Sequence, residues 1–322
     1  MARERTTNDG ERSLAIRAAW LHYIGGLTQA AVAKKLGVPS VKAHRLIARA
    51  VAEGAVKVSI DGEIVECLEL EDALCQRFGL STCRVAPDLS EEGVPLRALG
   101  LSGAAFIRRR LESGEISTIG IGHGRTLAAA VRSLPRIDAK GMRFVSLLGG
   151  LTRNFSANPH DVMHLLAEKT HAHAYVMPVP FFANTVEDRE VLLAQKGVCD
   201  VFAMAETAPL KLVGIGTVDT DTQLVASGMI EQSEIEEIAQ AGGTGELLGH
   251  FFDAEGNRLE TTLTARTLSV PFREDGADNI IALAGGREKF NAIRAVLKSG
   301  WLSGLITDEL TARTLLEEQP SS

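Results

Sequence analysis

An N-terminal winged helix-turn-helix followed by a larger α/β body is the fold that this 322-residue sequence predicts. Three observations carry that expectation. Residues 1–60 hold ten Lys and Arg against four Asp and Glu, a net of +6 on a chain whose total is −7. From residue 66 onward, short apolar runs alternate with stretches of helical periodicity, the pattern of a mostly parallel sheet covered on both faces. Several of those apolar runs end in glycine-rich turns, where open parallel sheets bind ligands beyond the carboxyl ends of their strands. The length accommodates both parts, 1–65 and 66–322.

Bulk composition narrows the class. With 45% hydrophobic and 23% charged residues, the chain reads as globular, and no uninterrupted apolar run approaches the roughly 18 residues of a membrane span. Met1-Ala2-Arg3-Glu4-Arg5 lacks the apolar core of a signal peptide, so the cytoplasm is the expected compartment. Cys67, Cys75, Cys83 and Cys199 follow neither metal-site nor disulfide spacing and read as buried thiols.

In the head, Leu14, Ala18, Leu21 and Ile24 recur at helical spacing, broadened by Ala15, Ala19 and Trp20, until Gly25-Gly26 interrupts. Thr28 caps a second helix over 29–36, and Gly37 ends it. A third begins at Pro39-Ser40, with Val41, Leu46, Ile47 and Val51 expected to face inward. Two short helices across a glycine-containing turn make a helix-turn-helix. Ser40, Lys42, His44, Arg45 and Arg49 are then the DNA-facing side chains of the recognition helix, the first near base edges and the later ones near phosphates, with Gln29 placed for a phosphate. Alternation over 56–60, then Asp61-Gly62, then Glu63-Ile64-Val65 predicts a hairpin wing. Charge, turn and wing agree on operator DNA as the partner of this head.

A helix over 67–78, stopped by Gly79, leads into the body. Strands are expected at 83–86, 117–121, 143–148, 174–179, 201–205, 212–215, 279–284 and 305–307. Helices are expected at 96–111, 126–133, 159–170, 186–196 and 288–299. The runs 247–252 and 259–268 read as an antiparallel insert. Glycine turns close four strands: Gly120/Gly122/Gly124, Gly149-Gly150, Gly214/Gly216 and Gly285-Gly286. The first, Ile119 to Leu127, leads into a helix, so backbone N–H groups and the helix dipole are expected to converge on an anion. Leu127 stands where a dinucleotide fingerprint needs its last glycine, and no Walker lysine follows. Lys289, one turn beyond Gly285-Gly286, suits a charged ligand end.

The body resembles the sugar-binding domain of the SorC family of bacterial transcriptional regulators. The resemblance is carried by GIGHGRTL (120–127), LLGGL (147–151), NPHDVMHLLAEKT (158–170), GIG (214–216), GELLGHFFDAEGN (245–257) and the block 284–316. The head resembles the same family's helix-turn-helix through LTQAAVAKKLGV (27–38) and HRLIARAVAEGAVKV (44–58). The resemblance implies a Rossmann-like α/β effector domain related to ribose-5-phosphate isomerase and glucosamine-6-phosphate deaminase. It also implies a dimer or tetramer, and an operon regulator answering to a sugar, a polyol or a sugar phosphate. By position, Gly122, His123, Gly124, Arg125 and Thr126 would hold the phosphate or hydroxyl end. Glu246 and Lys289 would contact the rest, with Gly149, Gly150 and Asn158 nearby. Two positions depart from the family pattern. Pro39 and Ser40 stand where helix three usually shows Ser then Arg, and His123 stands where a bulky aromatic is common.

Two other functions are weighed from the residues. An isomerase or deaminase on the same fold would need a general base, for which Asp308, Glu309, Asp219 and Asp221 are available, although Thr307-Asp308 precedes a helical run and reads as a cap. Metal binding by His160 and His164, with Asp161 between and His171 and His173 beyond, would use an i, i+4 pair; surface histidines of a helix are the simpler account. No catalytic residue, cofactor or metal is expected.

Overall fold

The computed structural model describes residues 2–56, 64–152, 161–219, 222–272 and 279–317. They form two compact units, divided after Gly62.

In the first unit, α1 (Ala2–Ala19) runs on through one π-helical turn (Trp20–Ile24), followed by α2 (Gln29–Leu36) and α3 (Ser40–Ala52). Thr28 caps α2 by accepting the Ala31 amide at 3.2 Å, and Gly37 closes it with φ +66. The core joins Ala15, Ala18 and Leu21 to Val32 and Ala33 and to Ala43, Leu46, Ile47 and Ala50. Here the structure corrects the inward face. Alanines at 43 and 50 let α3 approach closely, while Val41 and Val51, displaced around the helix, are 74% and 42% exposed. Trp20 also faces outward. The expected wing lies mostly outside the described residues, and Val65 itself opens the next helix.

The second unit begins with α4 (Val65–Phe78), which packs on β1 (Thr82–Ala86) and on the last helix, α13 (Glu309–Glu317). Glu71, buried in α4, accepts the Val85 amide at 2.9 Å and pairs with Arg84 at 2.6 Å, locking this helix to the strand. Next come α5 (Leu96–Ser113), β2 (Thr118–Ile121), α6 (Arg125–Ser133), β3 (Arg143–Ser146), α7 (Met163–Thr170) and β4 (His173–Tyr175). Then follow α8 (Val186–Leu193), α9 (Lys196–Glu206), β5 (Lys211–Val213), β6 (Gly216–Thr217), α10 (Gln223–Ala226) and α11 (Gln232–Gln240). A hairpin of β7 (Gly245–Leu247) and β8 (His250–Phe252) leads to β9 (Arg258–Leu259), and β10 (Ile280–Leu283), α12 (Phe290–Lys298) and β11 (Gly304–Asp308) complete the fold.

Seven strands form one parallel sheet in the order β1-β11-β10-β5-β2-β3-β4, and β6-β7-β8-β9 form a small antiparallel sheet. Strands β2, β5, β10 and β11 are buried along their length, which is why they read as continuous apolar runs rather than alternating ones. From β2 the chain moves outward to β3 and β4; from β5 it moves the other way to β10 and β11. The β2–β5 boundary is therefore the topological switch point, where open α/β sheets place ligands.

Among the segments that differ from the sequence expectation, residues 201–205 lie inside α9, and the run 247–252 is broken by a tight turn at Leu248-Gly249. The run 259–268 holds the end of β9 and then a 3-10 turn at Thr264–Arg266 rather than a continuous strand. Lys211 is 2% exposed at the start of β5, and its Nζ donates to the Glu206 carbonyl at 2.9 Å, satisfying the end of α9.

Candidate functional site

A cavity of about 740 Å³, counting its open mouth, sits at this switch point. The turn after β2 contributes His123, Gly124, Arg125 and Thr126, and the segment after β5 contributes Gly214 to Thr217. Thr222, Leu224, Ser227 and Met229 close one side; Leu148, Glu246, Leu248 and Lys289 complete the wall.

Each polar group has a structural reason for its position. Gly124 sits at φ +128 and starts α6, so the next residues turn back over the sheet. Thr126, 2% exposed, donates from Oγ1 to the Leu283 carbonyl at 2.7 Å, tying α6 to the end of β10. His123 meets Phe181 edge-on at 5.1 Å. The Lys289 Nζ donates to the Ile215 carbonyl across the cavity floor. Burial, then the charge of Arg125, pulls Lys289 down to about 8, against the opposing pull of Glu246.

Glu246 is 8% exposed and accepts the Gly249 amide at 2.6 Å. Burial pushes its carboxyl up to about 7, more than the Gly249 amide, Lys289 and the Gly216 amide pull it down. Cation and carboxyl thus line one pocket, able to meet both an anionic group and hydroxyl groups of a ligand.

The hairpin behind Glu246 is strained. Leu247 pairs with His250, leaving Leu248-Gly249 as a two-residue loop with φ +51 and +77. Such a type I′ turn normally begins with Asn, Asp or Gly; leucine there sits in the left-handed region that Cβ disfavours. Three side chains hold it. Glu246 takes the Gly249 amide, Ser269 Oγ donates to the Leu248 carbonyl at 2.6 Å, and Thr267 Oγ1 donates to the Gly249 carbonyl at 3.2 Å.

Of the residues singled out in the sequence, the structure gathers His123, Gly124, Arg125, Thr126, Gly214, Gly216, Glu246 and Lys289 into the cavity. Five of the expected site glycines are not among the residues that line the cavity. A Cβ at Gly149 would lie 2.0 Å from the Pro180 carbonyl oxygen, and one at Gly285 would lie 2.1 Å from Asp308 Oδ2. Gly122 bonds within the sheet to Leu212, Gly150 donates to Met177, and Gly286 donates to Asp308 and Thr311. These positions serve close packing and backbone bonding rather than the cavity wall. Asn158 lies outside the described residues. The sequence did not single out Leu148, Thr217, Thr222, Leu224, Ser227, Met229 or Leu248. Only the GIGTVDTDT run (214–222) offered a signal, for Thr217 and Thr222.

The bases considered for an enzyme are engaged otherwise. Asp308 accepts the Thr311 amide at 3.0 Å and its hydroxyl at 2.7 Å, capping α13 while receiving the Gly286 amide. Glu309 pairs with Arg313 and takes the Asp88 amide. Asp219 is exposed, and Asp221 lies outside the described residues. Likewise Asp161 accepts the Met163 amide, His164, His171 and His173 are exposed, and His160 is not among the described residues.

On α3, Ser40, Lys42, His44 and Arg45 are exposed, as is Gln29 at the start of α2. Arg49, expected to face DNA, donates its guanidinium to Glu53 at 2.6 Å and to Glu11 at 2.9 Å, bracing α3 against α1.

A basic helix-turn-helix unit in the same chain as an α/β body with a polar cavity at its switch point defines a ligand-responsive transcriptional regulator. Comparison with known proteins agrees. Residues 62–317 match the family described as "Putative sugar-binding domain". The chain is 65% identical over 308 residues to the erythritol catabolism regulatory protein EryD of Brucella abortus, covering 96% of this chain and 98% of that protein. It is 32% identical to the transcriptional regulator LsrR of Klebsiella pneumoniae, covering 95% and 93%. The full-length sorbitol operon regulator SorC of Klebsiella pneumoniae superposes with a TM-score of 0.71 at 27% identity, covering 95% of this chain and 98% of that one. The chain belongs to the SorC family of sugar-binding transcriptional regulators.

Proposed function

We propose that this chain controls an operon for the catabolism of a small polyol of the erythritol class, and that the polyol or its phosphate is the effector bound in the switch-point cavity. One observation carries the choice of polyol: 65% identity to a regulator of erythritol catabolism along 98% of that protein's length. The chemistry of the wall supports it. Lys289 and Arg125 suit a phosphate or a row of hydroxyl oxygens, and Glu246 accepts hydroxyl protons once ionised. The head, residues 1–65, reads operator DNA; the body, 66–322, binds effector and joins copies of the chain into a dimer or tetramer in the cytoplasm.

The reading is of a sensor and not an enzyme, because Asp308 and Glu309 are consumed by capping and ion pairing. Effector binding acts by favouring one arrangement of the paired bodies, and only to the extent that it binds that arrangement more tightly. The test is fluorescence anisotropy on the chain's own promoter DNA with four-, five- and six-carbon polyols and their phosphates. A member of this panel should change operator affinity, and Lys289→Ala should weaken that response while leaving ligand-free affinity in place. If no member changes affinity or melting temperature, the effector assignment fails and DNA binding stands by itself.

A further inference from the structure

Val41 is the more exposed of the two outward-facing valines of α3, at 74% against 42% for Val51. Buried Ala43, Leu46, Ile47 and Ala50 line one side of the helix. At 3.6 residues per turn, the direction opposite that line carries Val41, Arg45 and Ala48. All three are exposed, Val41 to 74%. Single exposed apolar side chains are common on protein surfaces. Three features separate Val41 from that background. It is the second residue of the second helix in a helix-turn-helix, the part that reaches base edges in the major groove. A β-branched residue is a poor choice for an exposed helix position that only has to be helical. Its neighbours are Lys42 and Arg45, and α3 has no acidic residue from Ser40 to Ala52, so this face suits DNA rather than a basic or mixed protein surface.

Within the major groove, the C5-methyl of thymine is the one apolar feature that a base edge presents. We propose that Val41 contacts a thymine methyl in each operator half-site, which makes one T·A pair a fixed position of the recognised sequence. Val41 is thereby a sequence-reading residue, whereas Gln29 contributes affinity through the backbone.

The experiment uses the full chain and its promoter fragment, with the bound site located by footprinting or, where the promoter gives no footprint, by selection from random duplexes. Each thymine of one half-site is replaced in turn by deoxyuridine, which removes the methyl and keeps every hydrogen-bonding group. Wild type should lose about fourfold in affinity at one position, the effect of burying a single methyl. Val41→Ala should lose a similar factor on the unmodified site and less than about 1.5-fold further on the deoxyuridine site, so that the two losses do not multiply. Alanine favours the helix, and an unchanged circular dichroism spectrum separates a contact effect from unfolding. The proposal is overturned if no thymine methyl matters to wild type, or if the methyl effect is as large in Val41→Ala, as it would be were this valine a protein contact.

Discussion

The carboxyl of Glu246 should make the body lose stability as the pH rises towards neutrality, in a window set by its surroundings. In the unfolded chain this group releases its proton near 4.5, whereas burial in β7 delays release to about 7. Between those values the folded state holds more protons than the unfolded state, so stability falls as pH rises. The contribution is fully present below 4.5 and gone above 7, a difference of about 3 kcal/mol. Lys289 has its own window higher up: its folded value is depressed from 10.5 to about 8, so its contribution is present above 10.5 and is lost as pH falls through 8. These two windows do not overlap, but burial also lowers His250 from 6.5 to about 4, a contribution that rises with pH across most of the Glu246 window, so the Glu246 share is read as a difference from a variant that keeps His250. Urea unfolding between pH 4.5 and 7.5 measures it. In a Trp20→Phe background the remaining tryptophan is Trp301, which stacks on Phe272 at 5.0 Å and reports the body alone. Glu246→Gln keeps an acceptor for the Gly249 amide but turns an amide donor towards Gly216, a fixed cost without pH dependence. Wild type should therefore lose about 2–3 kcal/mol relative to this variant across the window. Parallel curves for the two proteins would refute the burial argument.

Other consequences follow from the same geometry. Gly149→Ala should destabilise the body by about 3 kcal/mol, since its Cβ falls 2.0 Å from the Pro180 carbonyl oxygen, and the urea midpoint reads this directly. Arg266 and Glu234 form an ion pair with side chains only 12% and 13% exposed, so Arg266→Ala should cost about 1–3 kcal/mol by leaving Glu234 with the Glu231 amide but without its cation; a loss under about 0.5 kcal/mol would mean that water takes the place of the guanidinium. At Leu248, with φ +51, glycine should be more stable than alanine by about 1 kcal/mol, the reverse of the usual order. Equal or higher stability of Leu248→Ala would argue against strain in the turn. Arg49→Ala should weaken operator binding less than Arg45→Ala, because Glu11 and Glu53 already hold Arg49; anisotropy at one fixed salt concentration compares them.

The sequence exposed what depends on periodicity and hid what depends on close approach. Strands β2, β10 and β11 were legible because strands buried on both faces are written as short apolar runs between turn residues. The same signal misled at residues 201–205, since five apolar residues inside a helix buried on one side look no different. Val41 misled for a related reason: apolar character was taken for burial, whereas the α1–α3 contact is made by Ala43 and Ala50. Glycine was the most ambiguous residue of all. Gly124 opens the cavity turn, but Gly149 and Gly285 are glycine because a carbonyl and a carboxylate occupy the space of a side chain.

The Leu248 turn was illegible because only Gly249, the usual second residue of such a turn, favours it. Leucine at the first turn position opposes the conformation, and the turn exists because Glu246, Thr267 and Ser269 hold its amide and carbonyls from outside. That arrangement joins two features that sequence reasoning kept apart. Glu246 is both a wall of the cavity and the acceptor that holds the Gly249 amide. A ligand hydroxyl that donates to this carboxylate would compete with Gly249 for its lone pairs and would favour the ionised form. Ligand binding, proton release and the hold on a strained leucine would then act through one carboxyl group, and the leucine's side chain itself lines the cavity. A group in that position would convert occupancy of the cavity into a change of backbone restraint, which a contact made only by surface side chains would not do.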